Sequence, residues 1–145
     1  MAAQRIKEYR PTEDEEYMNE RQLEFFRVQL VTRRVELVAS IAGFSKNLKE
    51  TNIRKPDPVD QSSNHTDMSR DLQTRHRQQK LIRDIDYALE RIADREYGYC
   101  EVSGEEIGLR RLLARPVATM SVDVQEMYER KASGHQRFAV TSCVI

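Results

Sequence analysis

The stretch Lys55-Pro56-Asp57-Pro58-Val59-Asp60-Gln61-Ser62-Ser63-Asn64 decides how this chain is read. Two prolines at alternate positions remove amide donors and push the residue before each out of the helical region, so no ordinary helix passes through them. The small polar residues that follow suit a turn and a new helix start. On both sides of this breaker the pattern is helical. Upstream, from about Asn19 to Glu50, Leu23, Leu30, Leu37 and Phe44 recur every seven residues, and Ile41 and Leu48 fill the second seam position. Asn19 is placed to cap this helix, with Gln22 three residues on, where a capping box has its second member. Arg33 and Arg34 interrupt the seam, so the arm should turn polar partway along. Downstream, from about Asn64 to Asp94, Ile82, Ile85, Leu89 and Ile92 follow a 3-4-3 spacing, with Met68 and Leu72 nearer the breaker. Two helices of similar length around a short connector fold back as an antiparallel hairpin. An arm of about 30 residues reaches roughly 45 Å at helical rise. On pattern alone, such a hairpin is first of all a scaffold or stalk.

Composition narrows the class. The 145 residues carry 24 basic and 24 acidic side chains, and one third of the chain is charged. That balance fits solvated helices and offers no basic footprint for reading a DNA sequence. Trp is absent and Gly and Pro are scarce, which argues against a many-stranded β domain. No apolar stretch follows the N-terminal charges as in a signal peptide, and none approaches the roughly 20 residues that span a bilayer. A cytoplasmic chain without a membrane anchor is expected. Cys100 and Cys143 are far apart and read as free thiols in a reducing compartment. Ser142-Cys143-Val144-Ile145 is one residue short of a prenylation box.

The organisation expected is an N-terminal segment at 1–18, a coiled-coil hairpin at 19–96 with its tip at 55–64, a small globular module at 97–134, and a tail at 135–145. The fold class is mainly α. The module holds Gly98, Gly104, Gly108 and Gly134, with minimal strands expected around Glu106-Ile107-Gly108 and Val117-Ala118-Thr119. A closing helix is expected from Ser121, as N-cap, to Lys131. Phe138-Ala139-Val140 with Val144-Ile145 would add a strand or stay irregular.

The module is laid out like a four-ligand zinc finger, whose two knuckles each present a pair of cysteines three residues apart. Here the four positions are Cys100, Ser103, Ser121 and Val124. One thiolate, two hydroxyls and an alkyl group make no tetrahedral zinc site, so the layout is degenerate and no zinc or other cofactor is expected. Packing must then replace a contribution of about 10 kcal/mol, with Val102, Ile107, Leu109, Leu112, Leu113, Val122 and Val124 as the candidates. Cys100 has no cysteine partner and no histidine close in sequence, since His65, His76 and His135 are scattered. A redox or nucleophilic role for it is therefore set aside. No phosphate loop, nucleophile elbow or metalloprotease motif occurs, and no enzymatic activity is expected. Asp57 and Asp60 are the sharper feature. Two carboxylates at the end of a long arm can meet a metal, a basic residue or a nucleotide in a partner, although composition alone favours ordinary turn chemistry.

Several stretches carry a resemblance: Glu15-Glu16-Tyr17-Met18-Asn19-Glu20, Pro56-Asp57-Pro58-Val59-Asp60, Lys80-Leu81-Ile82, Tyr97-Gly98-Tyr99-Cys100-Glu101, and Gly104 to Ala118, GEEIGLRRLLARPVA. Together, over about residues 15 to 134, they resemble the DksA/TraR family. The resemblance implies a monomer that binds bacterial RNA polymerase without reading DNA. Its globular part would dock at the rim of the secondary channel. Its hairpin would enter that channel and alter open-complex stability in the stringent response, together with ppGpp. It further implies that Asp57 and Asp60 engage the polymerase near its catalytic centre, with Ser62 where the family has alanine. Arg77 and Lys80 would face the rim, and Arg115 matches a basic residue of the alarmone contact. Asp84 and Gln125 stand where that contact has lysines, so its ppGpp response should be weak. Two other readings remain at this stage. One is a Gre-like stimulator of transcript cleavage, against which Pro58 between the aspartates argues. The other is a helical adaptor unrelated to polymerase.

Overall fold

The computed structural model describes residues 9–52 and 61–141, with the side chains of 44–52, 61–65 and 134–141 excepted. Four helices account for most of the described chain: α1 (Glu20–Asn52), α2 (Gln61–Ala93), α3 (Leu109–Ala114) and α4 (Val122–Thr141). The described residues contain no strand. The minimal strand expected near Glu106 reduces to a single antiparallel bridge between Tyr99 and Glu106, and none forms at 117–119. Helices dominate because the apolar residues recur at helical spacing, whereas the glycine-rich stretch between α2 and α3 lacks the alternation a strand needs.

The chain divides into two compact units, one of Phe26–Glu90 and one of Met1–Phe25 with Arg91–Ile145. Within the first, α1 and α2 form the antiparallel hairpin. Arg34 Nε donates to Asp86 Oδ1 at 2.6 Å, and Gln78 Nε2 to Ser40 Oγ at 3.3 Å, so rising numbers on α1 meet falling numbers on α2. Phe26, Leu30, Leu37, Ile85 and Ala88 are buried. The heptad read from the sequence includes Leu30 and Leu37. Phe26, three residues after Leu23 and four before Leu30, shares their face and completes the seam. The interruption at Arg33 and Arg34 takes two forms. Arg34 makes the ion pair to α2, while Arg33 pairs along its own helix with Glu36 at 3.6 Å.

In the second unit, Asn19 caps α1 by accepting from the Gln22 N–H at 2.8 Å. The Gln22 side chain reaches one residue beyond the usual capping box, accepting from the Met18 N–H at 2.9 Å and donating to the Thr12 carbonyl at 3.2 Å. These bonds satisfy a fully buried amide and fasten the segment before the helix. At its far end α2 closes with a Schellman motif. The Glu96 N–H bonds the Arg91 carbonyl at 2.9 Å and the Arg95 N–H bonds the Ile92 carbonyl at 3.2 Å. Arg95 takes the left-handed conformation, φ 61°, that glycine usually supplies there.

The module's core differs from expectation in three places. Ile107, Leu109, Leu112 and Val124 are buried, but Val102, Leu113 and Val122 are exposed. Tyr97, Cys100, Ala118 and Met18 are buried with the first four, so the core draws on a tyrosine, a thiol and the segment before α1. Ser121 does not cap α4 through its side chain. Its carbonyl accepts from Gln125 N–H at 3.0 Å, while its buried hydroxyl has no hydrogen-bond partner. The expected strand or irregular tail is corrected over Phe138-Ala139-Val140, where α4 continues through Thr141, while Val144 and Ile145 lie outside the described residues. No glycine or proline breaker intervenes between Ser121 and Thr141 except Gly134, and a single glycine costs a helix only about 1 kcal/mol.

Gly98 is fixed by its surroundings. Its φ is 94°, and a Cβ there would lie 2.6 Å from Met18 Cγ and 2.9 Å from Met18 Sδ. Gly98→Ala therefore combines backbone strain with a clash, and should destabilise the protein by about 2 kcal/mol or more in urea titration. A change within a few tenths would mean that Met18 moves aside at little cost.

Candidate functional site

The residues singled out in the sequence fall into three groups. Asp57 and Asp60 lie outside the described residues, and Ser62 stands in the first turn of α2 with its side chain outside them as well. Arg77 and Lys80 are exposed on α2, and the 3-4 spacing of Arg77, Lys80 and Asp84 sets all three on one stripe of that helix. Two cations followed by a carboxylate therefore line this face. Arg115 belongs to the other unit, where it ends α3 with its N–H bonded to the Arg111 carbonyl at 2.8 Å and its side chain exposed. Gln125 lies in the first turns of α4 and donates to Glu129 at 2.8 Å.

Of the degenerate finger positions, Ser103 and Ser121 stand near Cys100. Cys100 is buried. The Ser103 hydroxyl and the backbone N–H groups of Ser103, Ser121 and Val102 are the donors around its sulfur. Burial pushes the thiol up, but these donors, led by Ser103, outweigh it and hold Cys100 down at about 6. Positions 100, 103, 121 and 124 offer one thiol, two hydroxyls and an alkyl group. Among the described residues, no three His, Cys, Asp or Glu side chains stand close enough to share a cation. This donor set does not fit zinc.

Arg91 holds the knuckle together, a role sequence reasoning missed. It is buried, and its Nη2 donates to the Tyr99 carbonyl at 2.7 Å and to the Glu96 carbonyl at 2.9 Å. Its Nη1 lies 3.9 Å from a Glu101 carboxylate oxygen. One guanidinium thus fixes both ends of the turn that leads into Cys100. A signal was available: Arg91 lies three residues after Ala88 and six after Ile85, on the buried stripe of α2, where a charged residue needs partners. Two tyrosines complete the frame. Tyr97 donates to the Pro116 carbonyl at 2.7 Å. Tyr17 donates to the Gly98 carbonyl at 2.7 Å, accepts from the Gly108 N–H at 3.1 Å, and packs edge-on against Tyr99 at 5.7 Å.

None of the described helices is long and apolar enough to cross a membrane. Two family models match the chain: the DnaK suppressor protein DksA, N-terminal domain, at residues 22–92, and the prokaryotic dksA/traR C4-type zinc finger at residues 95–130. The chain is 46% identical over 129 residues to the RNA polymerase-binding transcription factor DksA of Caulobacter vibrioides, covering 89% of this chain and 91% of that protein. It is 37% identical over 124 residues to the protein of the same name from Escherichia coli K12, covering 86% and 82%. Among solved structures, transcription factor DksA2 from Pseudomonas aeruginosa aligns with a TM-score of 0.74 and 37% identity, over 92% of this chain and 99% of that one.

The Cys100 thiol gives a pH test. Its folded value lies below the ordinary 9.0. Between about 6 and 9 only the folded state has lost the proton, so the stability gained from the thiolate grows as pH rises through that window. It is lost as pH falls to about 6. The difference in stability between wild type and Cys100→Ser should therefore widen from pH 6 towards pH 9 and be flat below 6, as read by urea titration. A difference independent of pH would mean that the sulfur stays a thiol.

Proposed function

This chain belongs to the DksA family, and on that premise we propose that it regulates transcription by binding bacterial RNA polymerase. The observation that carries this reading is the match of both family models in series, over the hairpin and the finger, with nine-tenths of a DksA relative covered. The hairpin enters the secondary channel with Asp57, Asp60 and Ser62 at its end, and alters the stability of open promoter complexes. Arg77 and Lys80 bind the channel rim, and Arg115 contributes from the module. The protein acts as a cytoplasmic monomer and catalyses no reaction of its own.

Two finer points follow from the residues. Asp84 shares a stripe with Arg77 and Lys80, and a carboxylate beside a polyphosphate is repulsive. The response to ppGpp through this face is therefore weak. The finger holds no zinc, because its one thiol and two hydroxyls cannot supply four soft donors, and Arg91 with the N–H groups around Cys100 takes over the task of ordering the knuckle.

Transcription from a ribosomal promoter, together with capture of purified polymerase, tests the reading. Asp60→Asn should keep polymerase affinity and lose regulation. Arg77→Glu with Lys80→Glu should weaken binding about tenfold or more, since charge reversal at a rim costs a few kcal/mol. Equal loss of affinity in both variants would make the tip a docking element. Strong synergy with graded ppGpp would contradict the role given to Asp84.

Natively purified protein should contain far less than one zinc per chain. Its thermal midpoint should not move on addition of EDTA. Stoichiometric zinc, or unfolding by the chelator, would overturn the assignment.

A further inference from the structure

The far side of the knuckle is closed by side chains from the opposite end of the chain. Across the loop 98–108, the Ile107 N–H bonds the Gly98 carbonyl at 2.8 Å. The Tyr17 hydroxyl supplies the next rung, donating to that same carbonyl at 2.7 Å and accepting from the Gly108 N–H at 3.1 Å. Gly108 precedes α3 and makes no side-chain cap bond, so the tyrosine oxygen is what answers its N–H. Met18 lies against Gly98 from the same side. Arg91 ties down the way into the turn, and residues 17 and 18 tie down the way out.

The segment that delivers these two side chains is lightly held. Of residues 9–18, Pro11 and Met18 are buried, while Arg10, Thr12, Glu13, Asp14 and Glu16 are exposed. Met18 also sits in the left-handed region, φ 54°, which an unbranched side chain adopts only when its surroundings impose it. The bonds that impose it are shared along one chain of groups. Glu15 accepts from both the Tyr9 hydroxyl and Asn19 Nδ2, Asn19 accepts from the Gln22 N–H, and Gln22 holds the Met18 N–H and the Thr12 carbonyl. Arg21 and Phe25 add contacts to the Tyr9 ring. Each member answers two others, so the loss of one loosens the next. We infer that residues 9–18 form a clasp that opens as a unit, and that its opening releases the loop 98–108 while the hairpin stays folded. Segments with little burial and many exposed residues are where such openings occur. The order of the knuckle is thereby controlled from the N-terminal segment.

Amide hydrogen exchange on the full chain tests this. In the wild type, Met18, Ile107 and Gly108 should share one opening, with protection equal within about threefold and roughly a hundredfold below that of Ile85 and Ala88 in α2. Ile107 and Gly108 protected far beyond Met18 would show that the loop stays closed when the strap leaves, and would overturn the proposal. Tyr17→Phe removes the hydroxyl and keeps the ring; exchange at Ile107 and Gly108 should rise about tenfold with Ile85 and Ala88 unchanged. Glu15→Ala is the sharper variant, because Glu15 bonds only to groups of the clasp itself among the contacts named here. It should also speed exchange at Ile107 and Gly108, by about threefold or more. No change at these amides in Glu15→Ala, or an equal rise in the hairpin, refutes a clasp that opens as one. Should Tyr17→Phe fail to fold, the wild type and Glu15→Ala decide between them.

Discussion

The module depends on one buried cation. Arg91 sits in the last turn of α2 and donates to the carbonyls of Glu96 and Tyr99, with Glu101 as its counter-charge. A buried guanidinium is tolerated only where its donors and charge are answered. The turn at Arg95 and the positive φ of Gly98 carry the chain so that the Glu96 and Tyr99 carbonyls answer its donors. Cys100 then arrives where backbone N–H groups meet its sulfur. Donors around the Cys100 sulfur, with the Arg91 cation behind the loop, order a knuckle whose four ligand positions offer one thiol, two hydroxyls and an alkyl group. Neutral hydrogen bonds contribute about 1 kcal/mol each and charged ones two to three.

The hairpin obeys a different constraint. Its seam is apolar where Phe26, Leu30 and Leu37 face inward with Ile85 and Ala88, and it is crossed by the polar Arg34–Asp86 pair. The Arg34–Asp86 pair is partly solvated, so it sets register more than it adds stability. An arm built this way keeps its helices aligned while leaving apolar residues uncovered along its flank. That is a poor design for a free-standing stalk and a sensible one for an element that works inside a larger surface.

Much of the fold was legible because helix signals are local. The double proline, the heptad of leucines and the cap at Asn19 each carry their reason within a few residues. The core of the module was less legible. Val102, Leu113 and Val122 are apolar yet exposed, whereas Tyr97 and Cys100 are buried, because in a short irregular module position along the turn outweighs hydrophobicity. The unsatisfied hydroxyl of Ser121 shows the same limit: its residue type suits a cap, but its buried place beside Cys100 does not let it act as one. Arg91 was missed because an arginine on a helix is usually solvated, and its partners lie past a turn the pattern could not trace. For the candidate site, the degenerate finger could be read directly from residue types. Arg77, Lys80 and Asp84 could be placed on one helical stripe by spacing alone. The roles of these residues towards a partner came from resemblance.

The most direct test of Arg91 as the organiser is amide exchange at Cys100 and Ile107, whose N–H groups bond the Glu105 and Gly98 carbonyls at 2.7 and 2.8 Å. Comparing wild type with Arg91→Ala, protection at both amides should fall about a hundredfold, as expected when a buried network loses roughly 3 kcal/mol. Unchanged protection at these two amides would contradict the account and leave the knuckle held by something other than the guanidinium.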